Sequence, residues 1–447
     1  MAPRLRLVLG LLSVQALGFA GCSDDPAPSP DAGTSSDAGN PADSGFSADT
    51  GPLPDVGNPT DAGPSTDAGS SSDAGNSTDA GTGPGCPLTR ALVTTSNFMI
   101  GGYALGTIAP PTLNVPMAMA PDQDHLPVQS GCRVFTLLRG NDALAVLDPS
   151  NLPAVVRTIP LRAMLPDAGT GPYQVNPYDV EVLSPTRAYV TQYALSRVAI
   201  VDPSRDGASA VIGSIDLAPV RAMADTDPSG SPEASELLRV GDRVFVVLQN
   251  LASFAPAALG SVAVIDTRTD ALIDADPATP GTQPVALRHR NPVAAVATPG
   301  GRLVFASAGN QPFMAPNVLD GAIEALDAAT LRPVGMAVTE MALGGDLQHL
   351  VMLTEDRGLA IVYRFVMGGG REARVVPFDL STGTVSAPVL TAPDLGGIAR
   401  SPDGNVWILD RSMGAAGVRV LSPTGMSLTP TPLSVGSLPP YGIAFVP

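Results

Sequence analysis

The chain has 447 residues, 42 acidic against 25 basic, and every basic residue is Arg. Without Lys there is no Schiff-base lysine and no phosphate-loop lysine, which excludes the enzyme classes built on them. Residues 23–85 hold eleven Asp and no basic residue, so residues 86–447, with 31 acidic and 23 basic residues, carry a net charge of only −8; that surface repels nucleic-acid phosphates and anionic headgroups, and nucleic acid is not expected as a partner.

At the N-terminus, Arg4 and Arg6 precede an apolar run from Leu7 to Leu17 and then small residues. The run is too short to span a bilayer and has the layout of a secretory signal over residues 1–21. Phe19-Ala20-Gly21-Cys22 follows, with Phe19 where Leu is usual. It resembles the bacterial lipobox, which implies an acylated Cys22 as the first mature residue, and two or more acyl chains give stable anchoring. Ser23, where inner-membrane retention would place Asp, resembles the outer-membrane sorting pattern. An exported chain at the outer membrane or cell surface is therefore expected.

From Asp31 the chain repeats Asp-x-Gly-x-x-x nine times without slippage, with Asp at 31, 37, 43, 49, 55, 61, 67, 73 and 79. Ser, Thr, Pro, Asn and Ala between the triplets cannot bury apolar surface, so residues 22–85 are predicted to be a disordered stalk with a root-mean-square reach of about 40 Å. Calcium loops place carboxylates two residues apart; these lie six apart, which argues against a calcium repeat. Cys86 and Cys132 then stand alone in an oxidising compartment, where a disulfide between them is the simplest expectation and two buried thiols the alternative.

Beyond Cys86, short β-rich runs separated by Gly, Pro, Asn and Asp predict an all-β domain over 86–447. The runs repeat. One element ends in Asp, as in Asp142–Asp148, Ser196–Asp202, Gly260–Asp266, Gly321–Asp327 and Ala373–Asp379. A second precedes it and begins at Arg133, Arg187, Arg243, Arg302, Gly358 and Asn405. A third precedes that, as Asn176-Pro-Tyr-Asp-Val-Glu-Val, Asn291-Pro-Val-Ala-Ala-Val, Leu395-Gly-Gly-Ile-Ala-Arg and Pro440-Tyr-Gly-Ile-Ala-Phe. With a fourth strand after each Asp turn, the spacing is that of propeller blades. Ala188-Tyr-Val-Thr-Gln followed by Arg197–Asp202 resembles the YVTN propeller repeat, a group that includes surface proteins and lactonase-like enzymes. Six complete repeats leave an inner strand at 440–447 and outer strands near Arg90 and Gly102, so the two ends are expected to combine into a seventh, closing blade, with Cys86–Cys132 stapling it to its neighbour.

Chemistry is sparse in this domain. His125, His289 and His349 lie in different repeats, and no Gly-x-Ser-x-Gly elbow occurs. Asn176, Asp179, Glu181, Asn291 and His349 begin or lie on inner strands and could converge on a divalent ion in an axial pocket, as a metal-dependent lactonase would require; the alternative is that they form turns. Insertions at 164–175, 221–233, 251–259 and 311–320 are expected to carry recognition, since loops on a rigid scaffold do so. The leading expectation is a monomeric, non-enzymatic, cofactor-free binding or scaffold protein for a protein, peptide or glycan of the cell envelope.

Overall fold

The computed structural model describes residues 86–115, 119–164, 173–224, 230–311, 317–366 and 370–447, all within one compact unit. The expected signal segment, Cys22 and the hexapeptide repeat lie outside the described residues.

The domain is a seven-bladed β-propeller. Blade 1 is built from 125–130, 133–138, 143–147 and 155–160; blade 2 from 177–184, 187–192, 197–201 and 211–216. Blade 3 uses 234–240, 243–248, 261–266 and 271–273, and blade 4 uses 292–297, 302–307, 322–327 and 332–339. In blade 5, strands 346–352, 357–366 and 370–379 are followed by two short strands, 384–385 and 390–392, that both pair with the third. Blade 6 has 395–400, 406–410 and 417–421.

The closing blade joins the ends of the domain. Its inner strand, 440–446, pairs antiparallel with 90–96, which pairs with 101–107. Arg90 adds a hydrogen bond from Nε to the Pro447 carbonyl at 2.7 Å. The closing blade and blade 6 depart from the four-stranded expectation, because their fourth strands shrink to isolated bridges, Leu105–Asn114 with Gly102–Met119, and Val418–Leu433 with Leu421–Ser427. Pro110 and Pro111 in one segment and Pro423, Pro430 and Pro432 in the other have no N–H to donate to a ladder.

Stability resides in the seams. The seven inner strands pack side by side in ring order, the closing strand touching both blade 1 and blade 6. Each of the seven seams holds its own hydrophobic cluster, for example Tyr189, Val198 and Ile215 of blade 2 against Val244, Val246 and Ile265 of blade 3. The arginines that open the second strands add polar links across these seams. Arg133 reaches the Pro185 carbonyl of blade 2, Arg187 reaches Asp270 of blade 3, Arg243 reaches the Ala328 carbonyl of blade 4, and Arg302 reaches Asp356 of blade 5. Arg90 does the same from the closing blade to the Pro149 carbonyl of blade 1. The recurrent Arg is thus a blade-to-blade tie.

The recurrent Asp also has a local cause. Asp148, Asp202, Asp266, Asp327 and Asp379 each accept the amide of a residue two or three places on, at 2.7–2.9 Å, closing the turn into the fourth strand. Hydroxyl or guanidinium donors join those amides, and all five carboxyls are held below the usual carboxylate range. Cys86 and Cys132 form the expected disulfide, with Cα atoms 5.4 Å apart, between the closing blade's lead-in and a turn of blade 1.

Candidate functional site

The two ends of the ring differ. Antiparallel register sets the start of each inner strand beside the end of the second strand, as Pro177 opposite Gln192, Asp346 opposite Tyr363 and Leu395 opposite Asp410. All four long insertions leave from this end, here called the loop end, although 165–172, 225–229 and 312–316 lie outside the described residues. Phe98, Met99, Met223, Phe254, Met341 and Met413 are exposed on its links. The opposite end carries short turns, among them the one holding Cys132. A cavity of about 390 Å³ there, between blades 3 and 4, is lined by Arg243, Arg268, Asp242 and Asp266. Arg268 pairs with both of those aspartates, and the cavity is remote from the loop end.

The five residues singled out from the sequence do lie at or on inner strands, yet most of their side chains are committed to the scaffold. An inner strand leaves one edge unpaired toward the axis, and its N–H groups need acceptors. Asp179 supplies one, taking the Leu237 amide of blade 3 at 2.8 Å and its neighbour Val180 at 2.7 Å. Burial nonetheless pushes the Asp179 carboxyl up to about 7, the two amides opposing the shift. Ser130 supplies another, taking the Val182 amide at 2.8 Å while donating to Glu181 Oε2 at 3.1 Å. Arg239 stands 4.0 Å from the other Glu181 oxygen. Asn176, in the left-handed region at φ 49°, accepts from Arg139 Nε at 2.8 Å. Asn291, at φ 54°, turns the chain into blade 4. His349 is buried on blade 5, and desolvation, aided by the Arg411 charge, lowers its imidazole to about 4, so it is neutral at pH 7. Among the described residues no three His, Cys, Asp or Glu side chains gather in a way that could hold a metal ion.

What the loop end gathers instead is tyrosine and arginine. Five of the seven tyrosines, 173, 178, 193, 363 and 441, sit at the starts of inner strands, at the ends of second strands or on their approaches. Tyr441 donates to Asp124 at 2.8 Å, and buried Arg139 lies 3.6 Å from the same carboxylate and 5.1 Å over the Tyr178 ring. Tyr178 stacks on Tyr193 at 5.2 Å, and Tyr193 donates to Gln249 Oε1 at 2.6 Å, whose Nε2 donates to the Pro292 carbonyl at 3.0 Å. On the other side Tyr363 donates to Asp394 and accepts the Leu395 amide at 3.1 Å. Arg411 stands 3.7 Å from Asp394, and its charge reaches both Tyr363 and Tyr441. Burial raises the tyrosine hydroxyls at 173, 363 and 441, so all three stay protonated donors. The result is a polar rim at the mouth of the axial channel, to which blade 4 contributes only the Pro292 carbonyl.

The repeat alignment carries the signal that would have found it. Tyr178 and Tyr441 both follow the first Pro of an inner strand, and Arg139, Tyr193, Gln249 and Arg411 each follow the last residue of a second strand.

No protein-family model matches the chain, and no curated protein matches it in sequence. Solved structures match it in fold. The periplasmic gluconolactonase of Pseudomonas aeruginosa superposes with a TM-score of 0.50 at 13% identity, over 81% of this chain and 99% of that one. The hydrazine synthase of Kuenenia stuttgartiensis gives 0.48 at 15% identity, over 69% and 80%. A streptogramin B lyase gives 0.44 at 12%, over 72% and 91%. At these identities the likeness is one of fold.

Proposed function

We propose that the protein is an extracytoplasmic binding protein. Residues 1–21 export it, acylated Cys22 and the stalk of residues 22–85 tether it at the outer membrane or cell surface, and the loop end of the propeller binds a protein, peptide or glycan of the cell envelope. The observation that supports this most is the segregation of the two ends. The long insertions, six exposed Met and Phe side chains and the Tyr–Arg–Asp cluster share one end, whereas the Cys86–Cys132 disulfide lies at the other. Concave sites with apolar walls and a few convergent polar groups are where ligands bind, and Met and Phe surfaces adapt to partner shape. Co-sedimentation of the purified chain with isolated envelope fractions tests this: saturable binding is expected, and none at micromolar protein would refute it.

A metal-dependent lactonase acting on small cyclic esters is the second reading, suggested by the fold neighbour described as a gluconolactonase. A divalent ion there would polarise the ester carbonyl. The described residues do not fit such an ion: Asp179, Glu181 and Asn176 hold backbone amides, Ser130 and Arg139, and no ligand trio forms. Lactone turnover that needs added Ca²⁺, Mg²⁺, Mn²⁺ or Zn²⁺ and stops with chelator would establish the enzyme instead.

A further inference from the structure

We propose that Arg411 anchors a hydroxylated carboxylate ligand at the mouth of the axial channel, an inference that rests on the binding reading of the loop end. Arg411 follows the second strand of blade 6, and its amide donates to the Asp394 carbonyl at 3.0 Å. Its stem then crosses the inner strand of its own blade at Gly396. A Cβ at Gly396 would lie 2.2 Å from Arg411 Cδ and 3.1 Å from Cγ, so only glycine lets the arginine take this path.

Among the described residues the Arg411 guanidinium has one ionic neighbour, Asp394, at 3.7 Å. Arg139, at the equivalent position of blade 1, is bound to Asn176, Arg364 in blade 5 donates to Glu372, and Arg419 in blade 6 donates to Asp410. Arg411 makes no side-chain hydrogen bond to another described residue. Its nearest carboxylate oxygen, Asp394 Oδ2, is 3.7 Å from Nε, while Asp394 Oδ1 takes the Tyr363 hydroxyl. The side chain is nevertheless only 29% exposed. A guanidinium partly withdrawn from water, with an ionic neighbour but no hydrogen bond from its side chain to a described residue, is a fork suited to a planar oxyanion.

The surroundings choose among oxyanions. Asp394 and Asp124 flank the mouth, so a second negative charge on the ligand is disfavoured and a monoanionic carboxylate fits better than a phosphate dianion. Asp394 Oδ2, with no hydrogen bond to a described residue, can accept a ligand hydroxyl, and Phe98, packed on Tyr441 at 5.3 Å, is an exposed apolar face at the same end of the ring.

Isothermal titration of the purified chain with D-glucuronate, D-glucose and inorganic phosphate tests the assignment. Saturable glucuronate binding is expected, weakened at least tenfold in Arg411→Gln and in Gly396→Ala and less in Arg411→Lys, with glucose and phosphate weaker throughout. Thermal melting confirms that each variant is folded. Absence of glucuronate binding, equal binding by Arg411→Gln, or preference for phosphate would overturn the proposal. Envelope co-sedimentation separates this from the reading beneath it: if envelope binding persists without glucuronate binding, only the role of Arg411 falls.

Discussion

Tyr441 donates its hydroxyl to Asp124 at 2.8 Å across the seam where the last strand of the chain meets the first complete blade. Closure of the ring and construction of its mouth therefore share a residue. The strand that completes the fold also completes the polar ring around the channel, and disruption of one disturbs the other.

Deleting residues 440–447 tests closure. Those residues bury Ile443, Ala444, Phe445 and Val446, and Phe445 meets Trp407 edge-on at 5.7 Å. Loss of the Phe445 side chain alone should cost about 3–5 kcal/mol, and the 90–96 edge would be left open. A lower melting temperature or failure to fold is expected, and an unchanged midpoint would refute the shared blade.

The Cys86–Cys132 bond closes a sequence separation of 46 residues. The chain-entropy estimate for such a loop is about 4 kcal/mol as an upper figure. Replacing both cysteines with Ser should lower stability by a sizeable part of that without changing the fold, measured by denaturant unfolding. Equal stability with and without the bond would show that the lead-in is held by other contacts.

Arg139 is buried against Asp124, Asn176 and Tyr178. Arg139→Met strands a buried carboxylate and should destabilise by about 3–5 kcal/mol. Adding Asp124→Asn should recover part of the loss. A loss below about 1 kcal/mol, judged against ordinary surface substitutions, would mean that the cluster contributes little to the fold.

Asp179 gives a pH signature. Its carboxyl is raised to about 7 in the fold, above the ordinary value near 4. Between those values the folded state binds more protons than the unfolded chain, so this group's contribution to stability declines as pH rises from about 4 to 7 and is level above. In Asp179→Asn the decline is absent. The stability of the variant relative to the native protein should therefore climb across that window, by up to about 4 kcal/mol for three pKa units. A difference that does not change with pH would contradict the shift.

Much of the architecture was legible because two rules repeat: a strand-opening Arg recurs in most blades and a turn-closing Asp in five, and both have local physical causes. The orphan inner strand at 440–447 revealed the closure by elimination. The mouth was not legible in the same way. Asp179, Glu181 and Asn176 drew attention as polar groups on inner strands, but Asp179 serves the unpaired edge of the next inner strand as an acceptor, Glu181 accepts from Ser130, and Asn176 accepts from Arg139. The repeat alignment marks the position of Arg411 after a second strand, but not what sets it apart there, which is the path its stem takes over Gly396 fifteen residues earlier.

The measurement closest to the central claim compares the two ends of the ring directly, by titrating isolated envelope with the full chain and with variants at each end. Met99→Ser with Met413→Ser alters exposed residues of the loop end, and Val155→Ser with Val156→Ser alters exposed residues on the fourth strand of blade 1, away from the mouth. The account predicts that the first pair weakens envelope binding at least tenfold while the second leaves it unchanged, with both variants melting near the native temperature. Equal binding by both, or loss only in the second, would place recognition elsewhere on the propeller.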